Sequence, residues 1–142
     1  IEFLAPRLRY EDKREILDST GLNPYQALRE CFNCSEISLT IVDTKNIPVG
    51  MFGVSEDGAI WLLATPDIKR IRFSFLRESR KVVNLLNHKY KILWNFVDCR
   101  NELHLRWLKW CGFKFLRKIN YGVNQKPFYE FIKLCVYHHK SH

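Results

Sequence analysis

The side chains best equipped for chemistry in this sequence are a Cys-x-x-Cys pair, a histidine on an amphipathic run and a dense group of cations. Cys31 and Cys34 stand at ligand spacing, but a structural zinc site needs a second pair of ligands. His88, His104, His138, His139 and His142 offer no pair at finger spacing from them, so no metal is expected and the cysteines read as structural thiols. His104 acts as a base only with a substrate proton in reach, whereas a core histidine bonded to backbone needs nothing more. The second reading is the expectation. Lys69, Arg70, Arg72, Arg77, Arg80 and Lys81 are opposed only by Glu78 between residues 69 and 81. Such a run forms a solvated helix face, a phosphate site, or a contact for nucleic acid or an acidic protein.

The elements that must position these groups follow from local signals. In NELHLRWLKWCGFKF, residues 101–115, Leu103, Trp107 and Trp110 stand at i, i+4 and i+7 beside His104, Leu108 and Cys111, which predicts a short helix with a broad apolar face. Asn101 is its expected N-cap and Gly112 its C′ residue, after which Phe113 and Phe115 alternate into a strand. Upstream, residues 3–9 predict an edge strand limited by Pro6, and residues 10–19 a helix ended by Thr20-Gly21. Asn23-Pro24 starts a second helix.

The period then changes. SLTIVDTK, VGMFGVSE and AIWLLAT, joined at Asn46-Ile47-Pro48 and Asp57-Gly58, predict an antiparallel meander. A third helix ends near His88, KILWNFVD is a strand with two dry faces, and FKFLRKINY and KPFYEFIKLCVY are the last strands. Trp94, Trp107 and Trp110 read as core aromatics, while Trp61 is placed to flank a ligand. The order β-α-α-β-β-β-α-β-α-β-β contains no repeat or linker, so one α/β domain with a mixed sheet is expected over residues 1–137, with a short basic tail at 138–142.

Composition bounds the function. The 142 residues, 46% hydrophobic, suffice for one core. No apolar run is long enough to span a membrane, and IEFLAPRLRY lacks the pattern of a secretory signal. Five cysteines form no regular framework, which points to a reducing, intracellular setting. Twenty-three basic against fifteen acidic residues give +8, favouring anionic partners or a solvated basic surface.

The element order, together with Asn101, Gly112 and Phe113 within residues 89–115, resembles the GCN5-related N-acetyltransferase family. The resemblance implies a single-domain, mainly antiparallel twisted sheet flanked by about four helices, with acetyl-CoA in a split between two central strands. More narrowly, N-x-x-H-x-R-W-L-K after an apolar strand is similar to small acetyltransferase-like proteins of T7-like tailed bacteriophages, associated with internal virion proteins or virion assembly. That implies a place in the host cytoplasm or the virion, with virion proteins, a protein amine acceptor or nucleic acid as partners and no membrane.

Two departures from the family pattern bear on activity. No glycine occurs from Ala59 to Cys111, so the bare-amide loop that receives a pyrophosphate is missing, and Lys69, Arg70 and Arg72 around Ile71 are the side chains to replace it. Backbone groups from Leu63, Ala64 and Thr65 would orient the thioester, with Asn101 beside the cofactor. The position at which many members place a proton-donating tyrosine is Leu108, which leaves Tyr121 or Tyr129 as substitutes and Asp67 as the carboxylate placed to take an amine proton through water. The resemblance thus implies an acyl-CoA-dependent N-acetyltransferase with a degenerate phosphate loop and reduced or lost turnover. The competing reading is a non-catalytic virion or assembly protein that keeps the fold as a scaffold.

Overall fold

In the computed structural model, residues 1–135 are described; the expected boundary at 137 and the basic tail 138–142 lie outside the described residues. The elements run α1 (Tyr10–Thr20), α2 (Pro24–Cys34), β1 (Ser35–Val42), β2 (Pro48–Ser55), β3 (Ile60–Ala64), α3 (Arg72–Lys89), β4 (Ile92–Asp98), α4 (Glu102–Trp110), β5 (Lys114–Tyr121) and β6 (Lys126–Leu134). The α/β order is the predicted one with a single exception. Residues 3–9 form no strand; Ala5–Arg7 is a 3-10 turn. Pro6 withholds an amide from any ladder, while Leu4 and Leu8 are buried, so the segment is held by packing and by one bond from the Arg9 N–H to the Ala64 carbonyl, at 2.9 Å.

Local chemistry explains the boundaries. Asn23 caps α2 with a reciprocal box, its side chain accepting from the Gln26 amide while the Gln26 side chain accepts from the Asn23 amide. Gly112 takes φ 89° after α4, the left-handed conformation expected there. Alternation sets the faces of the first sheet: Phe52, Val54 and Leu62 enter the main core with Val83, Leu93, Leu108 and Phe131. Met51 and Leu63, one residue out of step, join Leu4, Leu8, Ile16 and Leu28 in a second core beneath α1 and α2. Of the expected core tryptophans, Trp107 is buried. Trp110 is 41% exposed, with the Arg80 guanidinium 3.6 Å over its ring. Ile92 is exposed too, so β4 is drier toward its C-terminal end than at its start.

The strands form two antiparallel sheets, ordered β1-β2-β3 and β4-β6-β5. They meet at a parallel bridge between Ala59 and Trp94, where the Trp94 amide donates to the Gly58 carbonyl at 3.0 Å and the Asn95 amide group donates to the Ile60 carbonyl at 2.9 Å. Gly58 has φ 89°, and a Cβ there would lie 2.1 Å from the Ile92 carbonyl oxygen, so the join admits no side chain. No further pairing of β3 with β4 occurs among the described residues, and the strands fork.

Candidate functional site

Helix α1 closes the fork with two carboxylates three residues apart on one face. On the β3 arm, Asp12 Oδ2 accepts the Ala64 amide at 2.9 Å. On the β4 side, Glu15 Oε2 accepts from Asn101 Nδ2 at 2.8 Å and from the Asp98 amide at 3.4 Å. Asp12 Oδ1 also takes Arg9 at 2.9 Å and Asn101 Nδ2 at 3.0 Å. Asn101 is therefore no side-chain cap of α4: its amide group is spent inside this network, where it also accepts from Arg9 at 3.2 Å. A buried amide with strong acceptors in reach satisfies them in preference to a helix amide.

His104 projects from α4 into the same cluster, with Nε2 3.1 Å from Asp12 Oδ1 but without hydrogen-bond alignment. It is the expected buried histidine, partnered by a carboxylate where backbone was expected. Burial disfavours its charge, yet Asp12 and Glu15 outweigh burial and hold its pKa above the ordinary value. Burial raises Asp12 likewise, but His104, Arg9 and Asn101 together bring it below the ordinary carboxylate range. Glu15 goes the other way. Burial, with Asp12 and Asp98 close by, pushes its pKa up to about 7 against the pull of His104 and Asn101.

Two cavities flank this network. The larger, about 750 Å³, lies between the start of α3 and α4 beneath the start of α1. Its apolar wall includes Phe75 and Trp107, stacked at 6.1 Å, and its rim carries Arg14, Lys69, Arg72 and Arg106. Arg14, Lys69 and Arg72 have no carboxylate within ion-pair distance among the described residues, and the buried Nε of Arg14 has no acceptor. Uncompensated cations beside an apolar wall suit a ligand with phosphates at one end and an uncharged arm at the other. The backbone before α3 offers little to phosphate: the Asp67 and Ile68 amides turn back to Thr65 and the Arg72 amide to Lys69.

The smaller cavity, about 200 Å³, is lined by Glu15, Trp61, Asn95, Phe96, His104 and Tyr121, among others. Trp107 lines both cavities, and its buried indole N–H has no acceptor among the described residues. That N–H is enclosed by protein, so it is the rest of the indole ring that walls the two spaces.

The structure separates the residues singled out from sequence. Lys69 and Arg72 reach the larger cavity; Arg70 instead pairs with Asp67 at 3.6 Å, and both lie outside it, as does Ile71. Leu63, His104 and Tyr121 line the smaller one. Ala64 has its amide and carbonyl taken by Asp12 and Arg9, and the Thr65 amide is bonded to the Val49 carbonyl. Tyr129 packs on Phe115 away from both cavities, and Leu108 is core. Sequence reasoning missed Arg9, Asp12, Arg14 and Glu15. The signal was faint: carboxylates at i, i+3 beside Ile16 on a helix face that must be buried.

The family described as "Bacteriophage T7, probable scaffold protein Gp13" matches residues 39–119, more than half of the chain. No curated protein matches. Among solved structures, spermidine N-acetyltransferase from Vibrio cholerae in complex with CoA and spermine superposes with a TM-score of 0.62 at 12% identity, covering 94% of this chain and 86% of that one. The dodecameric form of spermidine N-acetyltransferase from Vibrio cholerae gives 0.58 at 10% identity over 79% and 72%. The fold is thus that of the GCN5-related N-acetyltransferases. Among the described residues no helix is long and apolar enough to cross a membrane, and no three or more His, Cys, Asp or Glu side chains are arranged to hold a metal ion.

Proposed function

The chain belongs to the family of the bacteriophage T7 probable scaffold protein Gp13, and on that premise we propose that it is an acyl-CoA-binding acetyltransferase of slow turnover, serving phage assembly. The observation that carries this reading is the larger cavity: three cations without carboxylate partners stand around an apolar wall that includes Phe75 and Trp107. Arg14, Lys69 and Arg72 would hold the coenzyme's phosphates in place of the missing glycine loop, a task suited to charged side chains where main-chain amides are already spent. The coenzyme supplies the activated acetyl thioester. Trp107, with Phe75, forms part of the apolar wall along which the uncharged arm of the coenzyme would lie. Leu108 gives no proton to a leaving thiolate, so turnover is slow, by roughly 10²–10⁴-fold against an enzyme with a placed acid. The acceptor is an amine, and phage assembly is the setting that a scaffold-protein family favours. A thiol-release assay at micromolar protein with acetyl-CoA and lysine-containing peptides tests the reading: release that depends on acceptor supports it, and none above the protein-free rate removes the enzymatic part.

A second reading is favoured by a separate observation. Ala64, on the strand edge facing the fork, has both main-chain groups occupied by Arg9 and Asp12. A fork closed in this way suits a scaffold whose fold is kept for assembly. Mass spectrometry of purified particles and assembly intermediates tests it, because an assembly protein is found in one or the other.

A further inference from the structure

Aromatic rings from separate helices stand around the mouth of the larger cavity. Tyr10 opens α1, Phe73 lies in the first turn of α3 and Trp110 ends α4. Tyr10 and Trp110 line the cavity, and Phe73 follows Arg72, which lines it too. Each ring has an arginine over it: Arg14 is 5.3 Å from the centre of Tyr10, Arg72 4.9 Å from that of Phe73 and Arg80 3.6 Å from that of Trp110. Trp110 is held firmly, because its indole N–H donates to the Leu76 carbonyl at 2.8 Å and Arg80 donates to its own carbonyl at 3.0 Å. Tyr10 is 69% and Phe73 73% exposed, and neither belongs to either core, so most of each ring meets solvent.

We infer that this rim is a platform for single-stranded nucleic acid, whose bases stack on Tyr10, Phe73 and Trp110 while its phosphates meet Arg14, Lys69 and Arg72. A ring held on one side by a guanidinium and open on the other offers its face to any base, and the guanidinium keeps N–H groups for a phosphate. The carboxylates that share the lining are already engaged: Glu11 pairs with Arg9 and Glu102 with Arg106, each at 3.6 Å. An intact duplex presents base edges and not base faces, so it leaves the rings unused. An acidic protein satisfies the cations but has no comparable use for the exposed rings.

The platform shares Arg14, Lys69 and Arg72 with the proposed coenzyme site, so a strand and acetyl-CoA exclude each other where both bind. Strand binding does not itself depend on the coenzyme reading. Phe73 separates the two, since it stands outside the cavity lining while its ring lies against Arg72 at the rim. The net charge of +8 draws a polyanion toward this face from a distance.

Binding is tested on the whole chain without coenzyme, by fluorescence anisotropy of labelled oligodeoxythymidylate and oligouridylate of about twelve nucleotides, with a DNA duplex and oligoglutamate as competitors. Saturable binding of either strand is expected, with log affinity falling against log salt at a slope of about −2, the value for about three phosphate contacts on a single strand. Tyr10→Ala and Phe73→Ala remove exposed rings and leave the cations in place. Each is expected to weaken the strand about tenfold with the circular dichroism spectrum unchanged. No saturable binding, affinity unchanged in both ring variants, or displacement by the duplex or by oligoglutamate as effective as that by unlabelled strand overturns the inference. Acetyl-CoA calorimetry keeps the two readings apart. Its heat is expected to be the same in Phe73→Ala as in the wild type, and acetyl-CoA that fails to bind the wild type overturns the coenzyme reading while a saturable strand titration still stands.

Discussion

Asp12 and Glu15, one helical turn apart on α1, grip opposite arms of the forked sheet: Asp12 accepts the Ala64 amide of β3 at 2.9 Å, and Glu15 accepts the Asp98 amide of β4 at 3.4 Å. With Asn101 bridging the two carboxylates, α1 works as a clasp between two sheets that, among the described residues, share no ladder beyond the bridge at Ala59 and Trp94.

Removing the clasp's buried half is costly. Asp12 is fully buried, and Asp12→Ala takes the acceptor from the Ala64 amide and a carboxylate neighbour from both Arg9 and His104. A loss of about 3–5 kcal/mol is expected, the usual consequence of deleting one partner of a buried pair. Urea denaturation measures it, and Asp12→Asn, which keeps an acceptor for Ala64, falls between the two.

Stability depends on pH with a definite sign. The Glu15 pKa of about 7 in the fold exceeds its ordinary 4.5, so its contribution is complete below 4.5 and is lost as pH rises through 7. His104 is raised above its ordinary 6.5 and acts in the same direction at somewhat higher pH. Asp12, lowered from 3.8, opposes only in acid, where its contribution is lost as pH falls. The midpoint of urea unfolding is therefore expected to be highest near pH 5 and to decline toward pH 8. Glu15→Gln, which cannot ionise, flattens the part of that decline between pH 5 and 7.

Gly58 sets the geometry at the root of the fork. Gly58→Ala forces a Cβ to 2.1 Å from the Ile92 oxygen at φ 89°. Thermal melting is expected to show a destabilisation of at least about 2 kcal/mol, since neither the backbone conformation nor the approach tolerates the methyl group.

Trp107 separates packing from hydrogen bonding. Trp107→Phe keeps an aromatic ring against Phe75 but deletes the unpartnered N–H. Because that buried N–H makes no hydrogen bond, only packing is lost, and urea unfolding is expected to report a destabilisation of about 1–2 kcal/mol.

Much of the fold was legible because its signals are local. The Asn23-Pro24 start with Gln26, the Asp57-Gly58 turn and Gly112 each declare a boundary within a few residues, and each stands where the spacing predicts. The site was less legible because it is made by contacts across the chain. Asn101 satisfies every local criterion for an N-cap, yet Asp12 and Glu15, 89 and 86 residues away, claim its amide. Pro6 foretold a weak first strand, but not that Arg9 would reach Ala64 from a 3-10 turn. The cations of residues 69–81 look alike in sequence; only Lys69 and Arg72 face the larger cavity, since Arg70 turns to Asp67 and Arg80 lies over Trp110.

The central claim is that side-chain cations replace the glycine loop in holding a phosphorylated thioester. Calorimetric titration of acetyl-CoA into the wild type and into Arg72→Ala tests it most directly. Saturable binding that weakens about tenfold in the variant, and that falls as salt is raised, is predicted from the loss of one charge-assisted contact. No heat of binding in the wild type, or affinity indifferent to both Arg72 and salt, would contradict it.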